Sequence, residues 1–183
     1  MKYTTQTHYV NKVINMKFNT HYSNKLLSKL IRLFSQGEYN HTSIEVNGYV
    51  YEARAHLPSW LARFLNKFLA FKCFKEYGVI KTPVHSWDNS TVVGSRTLKI
   101  SSEQELLVEG WLNQQVGKNY DTFGVLSFVW ALTKEKKGKW FCSEYAYVAL
   151  MKALNIEVYN QRKSPHDFWY DLGVIIEIHG RCT

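Results

Sequence analysis

The chain has 183 residues, 45% hydrophobic and 15% aromatic, with 23 Lys and Arg against 15 Asp and Glu for a formal charge of +8. That length suits one domain over residues 1–183 with a sizeable core, and the aromatic content with only three prolines argues against a disordered chain. No apolar stretch reaches the roughly 18 to 20 residues of a membrane span, and the start Met1-Lys2-Tyr3-Thr4-Thr5-Gln6-Thr7-His8 lacks the apolar run of a secretory signal.

Three cysteines, Cys73, Cys142 and Cys182, are odd in number and too sparse for a disulfide scaffold, which points to a reducing compartment. A soluble cytoplasmic protein is therefore expected. The positive charge suits an anionic surface or an acidic substrate, without specifying nucleic acid.

Residues 1–22 are weakly patterned, with Val10, Val13 and Ile14 able to seed an edge strand. Ser23 is placed to cap a helix over residues 24–34, whose Leu26, Leu27, Leu30, Ile31 and Phe34 form one apolar stripe, with Gly37 at its end. Then His41-Thr42-Ser43-Ile44-Glu45-Val46 and Tyr49-Val50-Tyr51-Glu52-Ala53 flank Asn47-Gly48, a strong hairpin signature because a type I′ turn needs two positive φ angles. With that two-residue loop, Val46 pairs with Tyr49 and Ile44 with Tyr51. Strand alternation then puts His41, Ser43, Glu45, Val50, Glu52 and Arg54 on one face, with Glu52 diagonal to His41.

Residues 57–74 predict an amphipathic helix opened by Pro58, suited to packing on the domain's own sheet or to a membrane or greasy cleft. Strands are expected from Val79 to Val84, ending near Pro83, and from Val92 to Ile100, interrupted at Gly94. A capping box of Ser102 with Glu105 opens a helix ending near Gly117. Tyr120-Asp121 follows, with Asp121 able to cap an apolar buried helix over residues 123–132. Ser164-Pro165-His166-Asp167 turns into a short helix, and Val174-Ile175-Ile176-Glu177-Ile178 predicts a last strand. Only His179 and Cys182 approach zinc-ligand spacing, and no glycine-rich phosphate loop occurs, so neither metal nor other cofactor is expected.

Between these lies Lys139-Trp140-Phe141-Cys142-Ser143-Glu144-Tyr145. From Glu144, the positions Ala146, Ala149, Leu150, Ala153 and Leu154 recur at helical spacing, so Cys142 falls at or just before the first turn of a helix. The unpaired N–H groups there favour an anion such as a thiolate, the nucleophilic form. A small buried packing residue is the competing reading of this cysteine.

A strand opening on His41, a hairpin closing on Tyr51-Glu52-Ala53, then Tyr120-Asp121 and Cys142-Ser143-Glu144, resembles the circularly permuted branch of the NlpC/p60 papain-like cysteine hydrolases, in particular the YiiX/YebB-like group. In that branch the histidine strand precedes the cysteine helix. The resemblance spans roughly residues 26–168. It implies an α+β, permuted papain-like fold in which an antiparallel sheet packs against helices and the nucleophilic cysteine sits at a helix N-terminus. It further implies Cys142 as nucleophile, His41 as general base and Glu52 as the residue orienting the imidazole. Tyr120 and Ser143 would lie at the substrate and oxyanion site, with a backbone N–H of the cysteine helix as the other oxyanion donor, although the Ser143 side chain also suits a cap. Hydrolysis of an amide or ester in a peptide, a cell-wall stem or a lipid acyl group is the implied activity. Acyl transfer by the same cysteine, or non-catalytic binding of nucleic acid or anionic membrane, stays open. Two charges bear on the site: Glu144 opposes an anion unless it turns away, and Arg54 is a rival partner for Glu52.

Overall fold

The computed structural model describes residues 13–24, 26–54, 78–121, 139–157 and 163–182. The expected helices over residues 57–74 and 123–132 lie outside them. Five strands form one antiparallel sheet: β1 (Val13–His21), β2 (His41–Val46), β3 (Tyr49–Ala53), β4 (Val79–Pro83) and β5 (Val92–Ser101), in the order β4-β3-β2-β1-β5. The helices are α1 (Leu26–Ser35), α2 (Ser102–Gln115), α3 (Cys142–Ala153) and α4 (Pro165–Cys182). A short parallel pair, β6 (Asn119–Tyr120) with β7 (Lys139–Trp140), completes the described elements. The protein is thus α+β, with an antiparallel sheet and helices.

The β2–β3 hairpin has the expected register, with Val46 opposite Tyr49 and Ile44 opposite Tyr51. Asn47 at φ 50° and Gly48 at φ 74° supply the two positive angles that let a two-residue turn follow the twist of its strands. Alternation sends Ile44, Val46, Tyr51 and Ala53 into the core beside Met16 and Phe18 of β1 and Leu98 and Ile100 of β5. Against them pack Val108 and Leu112 of α2, Ala146, Ala149, Leu150 and Ala153 of α3, and Phe168 and Leu172 of α4. Three alanines on α3 keep its inner face low, which brings the helix close to β2 and β3.

Several expectations need correction. The strand expected at an edge near Val13 and Ile14 is not at an edge: residues 13–21 form β1, which lies between β2 and β5. Met16 and Phe18 enter the apolar core from one face, while Asn19 and His21 on the other face are buried among polar partners, so polar composition hides the strand. Strand β5 is not cut at Gly94. It runs through, with a bulge where Thr20 faces Gly94 and His21 faces Val92.

The capping box sits one residue earlier than expected. Ser101 Oγ accepts from Gln104 N–H at 3.2 Å, and Gln104 Oε1 accepts from Ser101 N–H at 2.8 Å. Gln serves in that motif as well as Glu, so the two adjacent serines offered two frames. Finally, Val174–Ile178 is no strand and the preceding helix is not short: α4 runs unbroken for 18 residues. Ile175 and Ile176 continue the buried helical stripe of Phe168 and Leu172 while Val174 and Ile178 face outward, a period visible only over a longer window. Among the described residues no helix is long and apolar enough to cross a membrane.

Candidate active site

Cys142 is the first residue of α3 and His41 the first of β2, and the two meet. Its sulfur acts as both hydrogen-bond and charge partner of the His41 imidazole. On the far side of the ring, His41 Nε2 lies 2.9 Å from Glu52 Oε2, which leaves Nδ1 as the nitrogen for the sulfur. The pairing follows from the hairpin, which puts positions 41 and 52 on one face of β2 and β3. Three of the expected residues therefore form one line: sulfur, imidazole, carboxylate.

The carboxylate is fully buried, yet it has other partners besides the histidine. Arg54 Nη2 stands 2.9 Å from Glu52 Oε1, and Trp87 Nε1–H donates to the same oxygen at 3.2 Å. Arg54 is no rival for the histidine, because each takes a different oxygen. Burial alone would push the Glu52 carboxyl up; His41 first and then Arg54 outweigh it and hold the group at about 2. Burial likewise pushes His41 down, but contacts with Cys142 and Glu52 prevail and raise it to about 9. The His41 side chain is 17% exposed and Cys142 only 1%. At neutral pH the site holds an imidazolium between a carboxylate and a sulfur.

Tyr120 closes the other side of the sulfur. It is buried at the end of β6, packs on Phe141 with ring centroids 5.8 Å apart, and has Cys142 as a hydrogen-bond partner. Burial, then the sulfur, lifts its phenol well above the ordinary range, so it stays a donor. Its seat is set by close backbone packing. Val79 N–H donates to Lys118 C=O at 2.8 Å, and a Cβ on Gly78 would lie 2.0 Å from that same oxygen. On its other flank, Asp121 N–H donates to Trp140 C=O at 3.0 Å, joining Tyr120 to the segment that enters α3.

Ser143 is brought beside Cys142 in sequence, but its side chain is buried and donates to the Lys163 carbonyl, tying α3 to the approach of α4. Glu144 turns back from the sulfur, its Oε2 accepting from Phe141 N–H at 3.4 Å. The first-turn anion is thereby turned onto the backbone N–H at the helix start.

Two residues at the site went unread in the sequence. His21 of β1 is the cross-strand neighbour of His41, with ring centroids 4.9 Å apart, and Trp87 follows a 3-10 turn at Val84–Ser86. The signal for His21 was its place in the alternation of β1; for Trp87 the sequence carries none. Among the described residues no group of three His, Cys, Asp or Glu could hold a metal ion. Compared with known proteins, the chain matches no family model and no curated protein.

Proposed function

We propose that the protein is a cysteine hydrolase that cleaves an amide or ester bond through an acyl-Cys142 intermediate. The observation that carries this reading is the unbroken line from the Cys142 sulfur through His41 to Glu52, assembled from opposite halves of the chain. Its order, the histidine strand ahead of the cysteine helix, suits a permuted papain-like enzyme.

In the first step the thiolate attacks the carbonyl carbon, and the C=O electron pair moves onto oxygen. Tyr120 O–H and a backbone N–H at the start of α3 are the donors suited to that oxyanion. His41, carrying a proton, gives it to the leaving amine or alcohol as the carbon–heteroatom bond breaks. Water then attacks the thioester, His41 takes its proton, and the acid departs as the C–S bond opens. Glu52 fixes the ring so that its free nitrogen faces the sulfur throughout. Peptides, cell-wall stems and lipid acyl groups all offer the required carbonyl, and a bound amine or lipid hydroxyl in place of water would make the same site a transferase.

The test uses an activated ester, p-nitrophenyl acetate, with intact-protein and peptide mass spectrometry. An acetyl group should appear on Cys142 and turn over; Cys142→Ala should abolish it, and His41→Ala should slow acylation by about a hundredfold or more. Equal acetylation of Cys73 and Cys182, or an unchanged rate in His41→Ala, would rule the reading out. A trapped acyl-enzyme offered amines separates transfer from hydrolysis.

A further inference from the structure

We propose that His21 is a positioning residue for this site, a second imidazole that braces the His41 ring between the sulfur and Glu52. The proposal rests on the thiol-hydrolase reading and adds a residue to it.

His21 is 3% exposed, and both of its ring nitrogens are engaged: Nε2 lies 2.9 Å from Ser43 Oγ and Nδ1 3.0 Å from Thr91 Oγ1. Its partners belong to a longer polar chain. Ser95 O–H donates to Asn19 Oδ1 at 2.6 Å, and Asn19 Nδ2–H donates to Ser43 Oγ at 3.5 Å. The Ser43 and Thr91 hydroxyls can each donate or accept, so both ring nitrogens are held whichever carries the hydrogen. This polar chain crosses β5, β1 and β2 and ends against His41.

Four side chains close a circuit. The His21 ring tilts 54° against that of His41; its other neighbour, Trp87, meets it edge-on at 5.7 Å. Trp87 also donates to Glu52, which holds His41. Turning the His41 ring therefore breaks contacts on two sides. An imidazolium within about 6 Å of a neutral aromatic ring is also attracted to it. The charged groups that act on His21 are His41, Glu52, Arg54 and Asp88, and burial with the His41 and Arg54 charges holds it neutral, at about 3.

The test follows both histidines by NMR titration and Cys142 by its rate of alkylation with iodoacetamide from pH 5 to 10, using the full chain. In the wild type His41 should titrate near 9 and His21 near 3. In His21→Leu the His41 midpoint should fall by about one pH unit, and alkylation at pH 7 should drop about tenfold. Thr91→Val, which keeps the ring and removes only the Nδ1 partner, should move both readouts the same way by less. A folded His21→Leu with unaltered titration and alkylation profile overturns the proposal; if that variant does not fold, unaltered profiles in Thr91→Val do so. A wild-type His41 that titrates near its ordinary 6.5 instead removes the thiol–imidazole pair itself, a failure visible before any His21 variant is made.

Discussion

Glu52 is the residue on which the site's charges balance. One oxygen faces His41, the other Arg54 and Trp87, and no water reaches either. Glu52→Gln keeps an acceptor and the side chain's shape but deletes the charge. The His41 midpoint should then fall from about 9, since the carboxylate charge that favours the protonated ring is gone. Stability should drop by about 1–3 kcal/mol, the cost of leaving buried polar partners poorly matched. Arg54→Ala is the contrast. That side chain is 38% exposed, so its ion pair is partly screened and its loss should cost at most about 1 kcal/mol. Urea titration of the two variants gives the order, and a larger loss for Arg54→Ala would show that the carboxylate is not the organising charge.

At the scale of elements, the hairpin was legible and the seat of Tyr120 was not. Asn47-Gly48 dictates a turn by local backbone sterics, the turn dictates a register, and the register brings Glu52 to His41; each step is short-range. The same logic failed for β1, whose polar residues are buried by tertiary partners, His21 by Ser43 and Thr91, rather than sorted by local hydrophobicity. It failed for α4 because a short run of four branched side chains, interrupted by Glu177, fits either period. Tyr120 depends on a contact no periodicity encodes, the approach of Gly78 to the Lys118 carbonyl. Gly78→Ala should therefore force β4 and β6 apart, weaken the Val79–Lys118 hydrogen bond and slow Cys142 acylation, with a stability loss of about 1–3 kcal/mol. Gly48→Ala strains only the exposed hairpin turn, at about 1–2 kcal/mol, and should leave acylation intact. If both alanines spare acylation equally, the β4–β6 junction does not seat the tyrosine.

Over the whole molecule, these three shifted groups shape stability against pH, and the signs differ. His41 is raised from 6.5 to about 9, so what it contributes is complete below pH 6.5 and is lost as pH climbs through 9. His21 is lowered from 6.5 to about 3; the unfolded chain then binds the extra proton between those values, and stability drains as pH falls below 6.5. Glu52, lowered from 4.5 to about 2, adds a further loss below pH 4.5. Stability should therefore peak near pH 6.5 and decline on both sides. The variants separate the limbs: His21→Leu should flatten the profile between 6.5 and 4.5, and His41→Ala should flatten it between 6.5 and 9. Urea midpoints measured at each pH for the three proteins supply the comparison, with the background repulsion of a +8 chain common to all of them. An acid limb that survives in His21→Leu would mean that the buried imidazole is not what acid attacks first. The two histidines would then be neighbours in the sheet without opposite states of charge.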